Sequence, residues 1–330
     1  MTLPATVPAV GACPDALAII GPTASGKSAL AIELAERIGG EIVSIDSAAV
    51  YRGMDIGSAK PTAGDRARVP HHLIDVAEPH EPYSAGRFVR DAQAAVADIR
   101  QRGRVALLVG GTMLYVRSLL LGIAELPQAS PDLRAAIDAR ISRDGIDALH
   151  AELGRRDPAA AARIKPADRQ RIQRALELLE LTGRPLDELF REYARGPAVR
   201  AKVLALLPGD RAAHHAAIDA RFAAMLEAGL VDELRGLRER HPLHAALPSM
   251  RSVGYRQAWA YLDGLLDGDG LLRQGQAASR QLAKRQMTWL RRLPHDLALD
   301  PRDAHSFDKM LAWAREASQC QRSGSTLPSV

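Results

Sequence analysis

Apolar residues recur along this chain in two rhythms. Short unbroken runs at residues 17–20, 41–45, 104–109, 202–207 and 296–299 have the length and flanks of buried strands. Between them the spacing changes. Leu30, Leu34 and Ile38 recur every four residues over 29–38, and Phe88, Ala92, Val96 and Ile99 form one stripe over 84–100. Each stripe predicts a helix with one face against a sheet. Asp210 caps a further helix through 227, with Ile218, Phe222 and Leu226 inward. Residues 50–61 have neither rhythm and read as irregular. Strands alternating with helices specify an α/β fold with a parallel sheet flanked by helices.

Residues 121 to about 200 break the pattern. They hold no strand-like run, and Pro131, Pro158, Pro166 and Pro185 sit where helices would begin. An inserted all-helical lobe is predicted. The chain then divides into a flexible N-terminus (1–15), the first part of a core (16–121) and the lobe (122–200). The second part of the core follows (201–317), with basic C-terminal helices, and a disordered tail (318–330) ends the chain.

The first strand runs into Gly21, Pro22, Thr23, Ala24, Ser25, Gly26, Lys27 and Ser28, and a helix follows at once. Gly, four residues, then Gly-Lys-Ser is the spacing of a phosphate-cradling loop, and it makes the core P-loop NTPase-like. The glycines let backbone N–H groups turn toward an anion, and the helix dipole adds to their pull. Lys27 supplies a point charge, and the Ser28 hydroxyl can hold Mg²⁺. The loop indicates that a polyphosphate binds, without saying which.

The second strand ends in Asp46-Ser47. Strand C-termini face the ligand crevice of an open parallel sheet, so Asp46 is expected beside the loop, one strand over. Its plainer use is to cap a turn. The strand at 104–109 ends in Gly110-Gly111-Thr112. Many phosphate-loop hydrolases deliver a metal-binding Asp from such a strand. Here no carboxylate follows it, so the hydrolytic machinery is incomplete and Asp46 is free to take a proton from an acceptor. His71 and His72 are adjacent on an extended segment, point to opposite faces and cannot easily share an ion.

The net charge is +5, from 44 basic and 39 acidic residues, and only six of the basic ones are Lys. Arginine suits phosphate forks and stacking on bases. It collects at 169–174, 251–256 and 280–292, where Arg280, Lys284, Arg285, Arg291 and Arg292 alternate with Met287, Trp289 and Leu290. These segments read either as nucleic-acid contacts or as solvated helix faces. No apolar stretch approaches the ~18 residues of a spanning helix. The first fifteen residues lack the basic start of a signal peptide, so the cytoplasm is expected. Two cysteines, Cys13 and Cys320, cannot build a zinc site alone.

Together GPTASGKS (21–28), IDSAAVYRGMDIGSAKP (45–61), PHHLIDV (70–76), LLVGGTMLY (107–115), DRQRIQRALE (168–177), RSVGYRQAW (251–259) and RQLAKRQMTWLR (280–291) resemble the tRNA dimethylallyltransferases. The resemblance runs in order and spacing from Leu17 to about Leu299. It implies transfer of a dimethylallyl group from its diphosphate to the exocyclic amine of an adenosine just 3′ of a tRNA anticodon, with Mg²⁺. It further implies that Thr23 to Ser28 hold the diphosphate, that Asp46 is the general base, and that Arg221 and Thr23 assist at the diphosphate. The implied tRNA surface comprises Asp46, Ser47, Ala48, Ala49, Thr112, Arg134, Gln170, Arg171, Ile172, Gln173, Arg174, Arg251, Ser252, Val253, Gly254, Tyr255 and Arg256. Many members carry a polar residue where this chain has Ala49. The implied partners are the anticodon stem-loop and dimethylallyl diphosphate, with the chain a monomer.

Two other readings stay open on the residues themselves. A small-molecule or nucleoside kinase would use Asp46 as base toward a hydroxyl, with ATP in the loop. A non-enzymatic RNA-binding protein would use the loop only to sense nucleotide. The separated basic segments argue against the first, and Asp46 beside the loop against the second.

Overall fold

A computed structural model of the chain describes residues 13–323. The strands are β1 (Ala16–Ile20), β2 (Gly40–Ile45), β3 (His71–His72), β4 (Val105–Gly110), β5 (Ala201–Leu206) and β6 (Leu297–Leu299). They form one sheet in the order β3-β2-β4-β1-β5-β6, and every pairing is parallel. β1, β2 and β4 are wholly buried and β5 is buried over its last four residues, while the short edge strands β3 and β6 are partly open. That burial explains why the inner strands read as continuous apolar runs rather than as alternation. Between β1 and β4 run α1 (Lys27–Ile38), α2 (Ala63–Arg68) and α3 (Ala85–Gln101), and α4 (Met113–Leu120) follows β4.

The lobe, residues 122–196, is a separate compact unit. It consists of α5 (Pro131–Asp144), α6 (Ile146–Arg156), α7 (Pro158–Arg163), α8 (Arg169–Thr182) and α9 (Leu186–Glu192). Ile137, Ile141, Leu149, Leu153, Ile172, Leu176 and Leu179 form its own core. Ser130, Asp157 and Asp168 cap its helices with side-chain oxygens. Pro131 and Pro158 occupy the first helical turn, whereas Pro166 lies in the turn ahead of α8. Residues 197–200 belong to the core, because the amides of Ala198 and Val199 bond to the Leu119 carbonyl.

Beyond β5 come α10 (Arg211–Glu227), α11 (Leu230–Arg240), α12 (Tyr255–Leu262), α13 (Gly268–Leu290) and α14 (Ser306–Ser323). A disordered tail from 318 is corrected by α14, which is helical through Ser323. Met310, Trp313, Ala314 and Ala317 turn one face of that helix into the core against α1, so its end is carried by packing. At the other end, Asp15 pairs with Arg200 and Arg100, so residues 13–15 are anchored. The rest of the expected flexible ends, 1–12 and 324–330, lies outside the described residues. No helix among the described residues is long and apolar enough to cross a membrane.

The irregular stretch after β2 is fixed by one buried cation. Lys60, its side chain 1% exposed, places Nζ 2.8 Å from the Tyr51 carbonyl, 2.5 Å from Asp55 and 2.6 Å from Asp75. Burial pushes the Asp75 carboxyl up, but bonds from Lys60 and Arg66 outweigh it and hold it below the usual range. Its contribution is therefore complete at neutral pH and is lost as pH falls through that lowered value. Lys60→Met leaves the Tyr51 carbonyl unpaired and should lower stability by about 3 kcal/mol. A urea midpoint equal to the parent's would contradict this.

Candidate active site

The phosphate loop spans 21–28 between β1 and α1. Its backbone takes two left-handed turns, at Ala24 (φ 58°) and Gly26 (φ 78°). A left-handed alanine is strained, and such strain concentrates at ligand-gripping loops. The α1 N-terminus has no side-chain cap, which leaves its first amides facing the loop's hollow. The Ser25 hydroxyl is buried with no hydrogen-bond partner among the described residues. Lys27 folds back so that Nζ rests 3.1 Å from the Pro22 carbonyl. The surrounding protein strips water from this ammonium and Arg221 repels it, against a smaller pull from Asp46. Its pKa is pushed down to about 8.

Thr23 is tied at three points by distant elements. Its N–H donates to Gln286 Oε1 on α13 (2.8 Å), and its carbonyl accepts from His214 Nε2 on α10 (2.9 Å). Its hydroxyl accepts from Arg221 Nη2 (2.6 Å). The Thr23 amide is thus occupied and cannot grip a diphosphate, which narrows the expected backbone cradle to Ala24 onward. Gln286 also donates from Nε2 to the Gly111 carbonyl (2.8 Å) and joins the loop to the end of β4.

Asp46 lies at the C-terminal end of β2. Its Oδ1 accepts from the amides of Ala48 (2.8 Å) and Ala49 (3.3 Å). The described bonds engage this oxygen only, so one carboxylate oxygen caps the turn while the other is available to the cleft. Asp46 is not one strand over from the loop: β4 intervenes, with Ile20, Gly110 and Ile45 level in the sheet. That strand ends without side chains for a steric reason. A Cβ on Gly111 would lie 2.6 Å from the Gly21 carbonyl and 2.7 Å from Gln286 Nε2. The position from which hydrolases present their second carboxylate cannot hold a side chain here. Instead the two glycines let the end of β4 pack closely between the strand that carries Asp46 and the loop.

The cleft has a volume of about 470 Å³. Thr23, Lys27, Ser28, Asp46 and Arg221 line its polar part, and Ile218, Phe222, Met225, Leu282 and Trp289 form an apolar wall. Asp46 is the sole acidic side chain among the lining residues. Thr112 lines it too, its Oγ1 accepting from the Ser47 amide (3.0 Å). Arg251, Ser252 and Val253 lie at its edge, and Arg256 is exposed nearby in sequence.

Several residues of the expected RNA surface are buried instead. Tyr255 is wholly buried, its hydroxyl bonded to Glu233 (2.6 Å), and Ala49 and Gly254 are covered as well. In the lobe Ile172 belongs to the core, while Gln170 and Arg171 are exposed. The reason is periodicity: a continuous motif on a helix turns through both faces. His71 and His72 diverge, His71 Nδ1 to the Val69 carbonyl (2.7 Å) and His72 Nε2 to Glu41 (2.8 Å). Arg280 pairs with Asp219, so only the later basic residues of α13 remain open.

Local patterning did not reveal Gln286, His214 or Glu233. Glu233 accepts the amides of Asp55 (2.9 Å), Ile56 (2.7 Å) and Gly57 (3.4 Å) and thereby fixes a loop whose next residues line the cleft. One signal was available for Gln286. It falls with Ala283 and Leu290 on the buried stripe of α13, where a polar residue needs a partner.

Known proteins carry the same frame. The family model described as IPP transferase matches residues 49–293, and one described as isopentenyl transferase matches 14–70. The chain belongs to the IPP transferase family. A tRNA dimethylallyltransferase of Thiobacillus denitrificans is 56% identical over 87% of this chain and 92% of its own length. One of Aromatoleum aromaticum is 58% identical over 84% and 87%. The solved tRNA isopentenylpyrophosphate transferase of Bacillus halodurans has a TM-score of 0.65 and 33% identity, covering 94% of this chain and 99% of that one. A eukaryotic dimethylallyltransferase solved acting on tRNA has a TM-score of 0.75 and 26% identity, covering 95% and 81%. These family members share the parallel sheet with flanking helices.

Proposed function

We propose that the chain is a tRNA dimethylallyltransferase. It transfers a dimethylallyl group from dimethylallyl diphosphate to the N6 amine of the adenosine just 3′ of the anticodon. One observation carries the chemistry: a single carboxylate, Asp46, faces a phosphate loop across two glycines, with no second carboxylate to orient water.

The donor's diphosphate lies in the loop against the amides from Ala24 onward and Lys27. Arg221 reaches the same anion from α10, leaving its bond to Thr23. Mg²⁺ fits at Ser28, whose hydroxyl is exposed at the cleft and, with diphosphate oxygens, gives the hard oxygen donors this ion takes. Bound there, the ion neutralises charge on the leaving group.

An adenine amine is a weak nucleophile because its lone pair is delocalised into the ring. In the reaction that pair forms a bond to the donor's first carbon while the carbon–oxygen bond to diphosphate breaks. The diphosphate departs with the electron pair, and Lys27 and Arg221 stabilise the charge it gains. Asp46 accepts the N6 proton as the new bond forms, an assistance worth ~10²–10⁴-fold. The base must leave its loop stack to arrive there, which costs a few kcal/mol and least in a single-stranded loop. Trp289, 44% exposed with Arg117 stacked 5.2 Å from its ring, offers an aromatic face at the cleft mouth.

The test is transfer itself. Purified tRNA and radiolabelled dimethylallyl diphosphate should give labelled tRNA with release of diphosphate, and the chain alone should leave ATP unhydrolysed. Rapid ATP turnover without tRNA, and no label in the RNA, would restore the kinase reading.

A further inference from the structure

Glu177 on α8 is a carboxylate buried in the helical lobe, its side chain 3% exposed. Burying that charge is unfavourable unless it is paired and hydrogen-bonded. Each of its oxygens has a partner. Oε1 accepts from Arg134 Nε at 3.2 Å, and Oε2 accepts from Arg174 Nη1 at 3.1 Å. Arg174 is held a second time, through Nη2 to the Pro127 carbonyl at 2.6 Å. Two arginines on separate helices are thus fixed from below by one acid, and the cluster keeps a surplus of one positive charge.

The choice of nitrogen atoms decides what the cluster presents. A guanidinium carries five N–H donors in a rigid plane. Arg134 uses only its Nε–H on Glu177, so both terminal nitrogens keep their hydrogens, and its side chain is 52% exposed. That is the end-on fork which grips a phosphate in two parallel bonds. Arg174, more enclosed, retains its Nε–H and one hydrogen on each terminal nitrogen. An apolar residue in place of Glu177 would fill the lobe's core as well, so packing alone does not account for an acid there.

We infer that Glu177 is a positioning residue for RNA binding: it orients the Arg134 and Arg174 guanidinium groups toward phosphates of the substrate. The inference rests on tRNA being that substrate.

Simple electrostatics predicts the opposite sign for its removal, because deleting a negative charge should tighten binding to a polyanion. The experiment measures the dissociation constant of a labelled anticodon stem-loop for the full chain at several salt concentrations. The variants are Glu177→Gln, the pair Arg134→Ala with Arg174→Ala, and all three together. Glu177→Gln should weaken binding about tenfold in the parent and change it less than about twofold once both arginines are gone. The double alanine variant should also flatten the salt dependence by roughly 0.7 per lost phosphate contact. Tighter or unchanged binding by Glu177→Gln, or an equal loss in both backgrounds, would overturn the inference. Should Glu177→Gln fail to fold, Arg134→Lys with Arg174→Lys keeps the charge and removes the fork. It should still bind about tenfold more weakly, and parent-like affinity would overturn the inference equally. A parent chain that binds no RNA defeats the substrate reading, and this inference with it. Parent binding without coupling defeats this inference alone.

Discussion

Asp46→Asn should lower the turnover of dimethylallyl transfer by at least ~10²-fold. The substitution is unusually selective because the two oxygens of Asp46 have different surroundings. Oδ1 holds the turn through the Ala48 and Ala49 amides, and an asparagine retains that acceptor. The change falls on the other oxygen, which becomes an NH₂ group that cannot accept a proton. Affinities for tRNA and donor should therefore stay within about tenfold of the parent, or ~1.4 kcal/mol. Asp46→Ala should do worse in a different way, since the turn at 46–49 loses its cap. Single-turnover rates beside equilibrium binding of both ligands separate the cases. Equal losses in rate and tRNA affinity would make Asp46 a residue that only holds the base, and near-normal turnover would remove it from the chemistry.

Lys27→Ala should have a comparable or larger effect, a loss of about 10³-fold in turnover, expressed at the donor and not at the RNA. The ammonium stands at the centre of the loop, where protein has already displaced much of its water. An ion held that way interacts strongly with a diphosphate and more strongly still as the leaving group gains charge. Titration with inorganic diphosphate should show weakened binding, while the stem-loop binds as to the parent. If Lys27→Ala kept both its turnover and its affinity for diphosphate, another group would have to neutralise the leaving group, and Arg221 would be the first candidate.

The sequence by itself determined the local elements and the chemistry they carry. The loop at 21–28 is legible because its function needs a fixed spacing of backbone conformations, and Gly26 at φ 78° shows that need directly. β1, β2, β4 and β5 read correctly because strands buried in a parallel sheet are mostly apolar, whereas β3, two histidines at the sheet edge, has no apolar run to mark it. The lobe was visible because its rhythm lacks strands, and its capping residues and prolines mark helix starts.

Strand order, by contrast, was decided only by the tertiary structure. Nothing local says that β4 inserts between β1 and β2, yet this insertion separates Asp46 from the loop. It also turns Gly110-Gly111 from an absence of carboxylate into a steric requirement. Thr23 is likewise gripped from residues 191, 198 and 263 positions away, by His214, Arg221 and Gln286. Which members of a contiguous motif reach solvent was also hidden. Ile172 and Tyr255 sit beside exposed arginines in sequence and beneath them in space, because a helix turns every residue about 100° from the last. Short-range pattern records the chain's own geometry. The site is assembled from partners that only folding brings into hydrogen-bond distance, where burial then enforces their pairing.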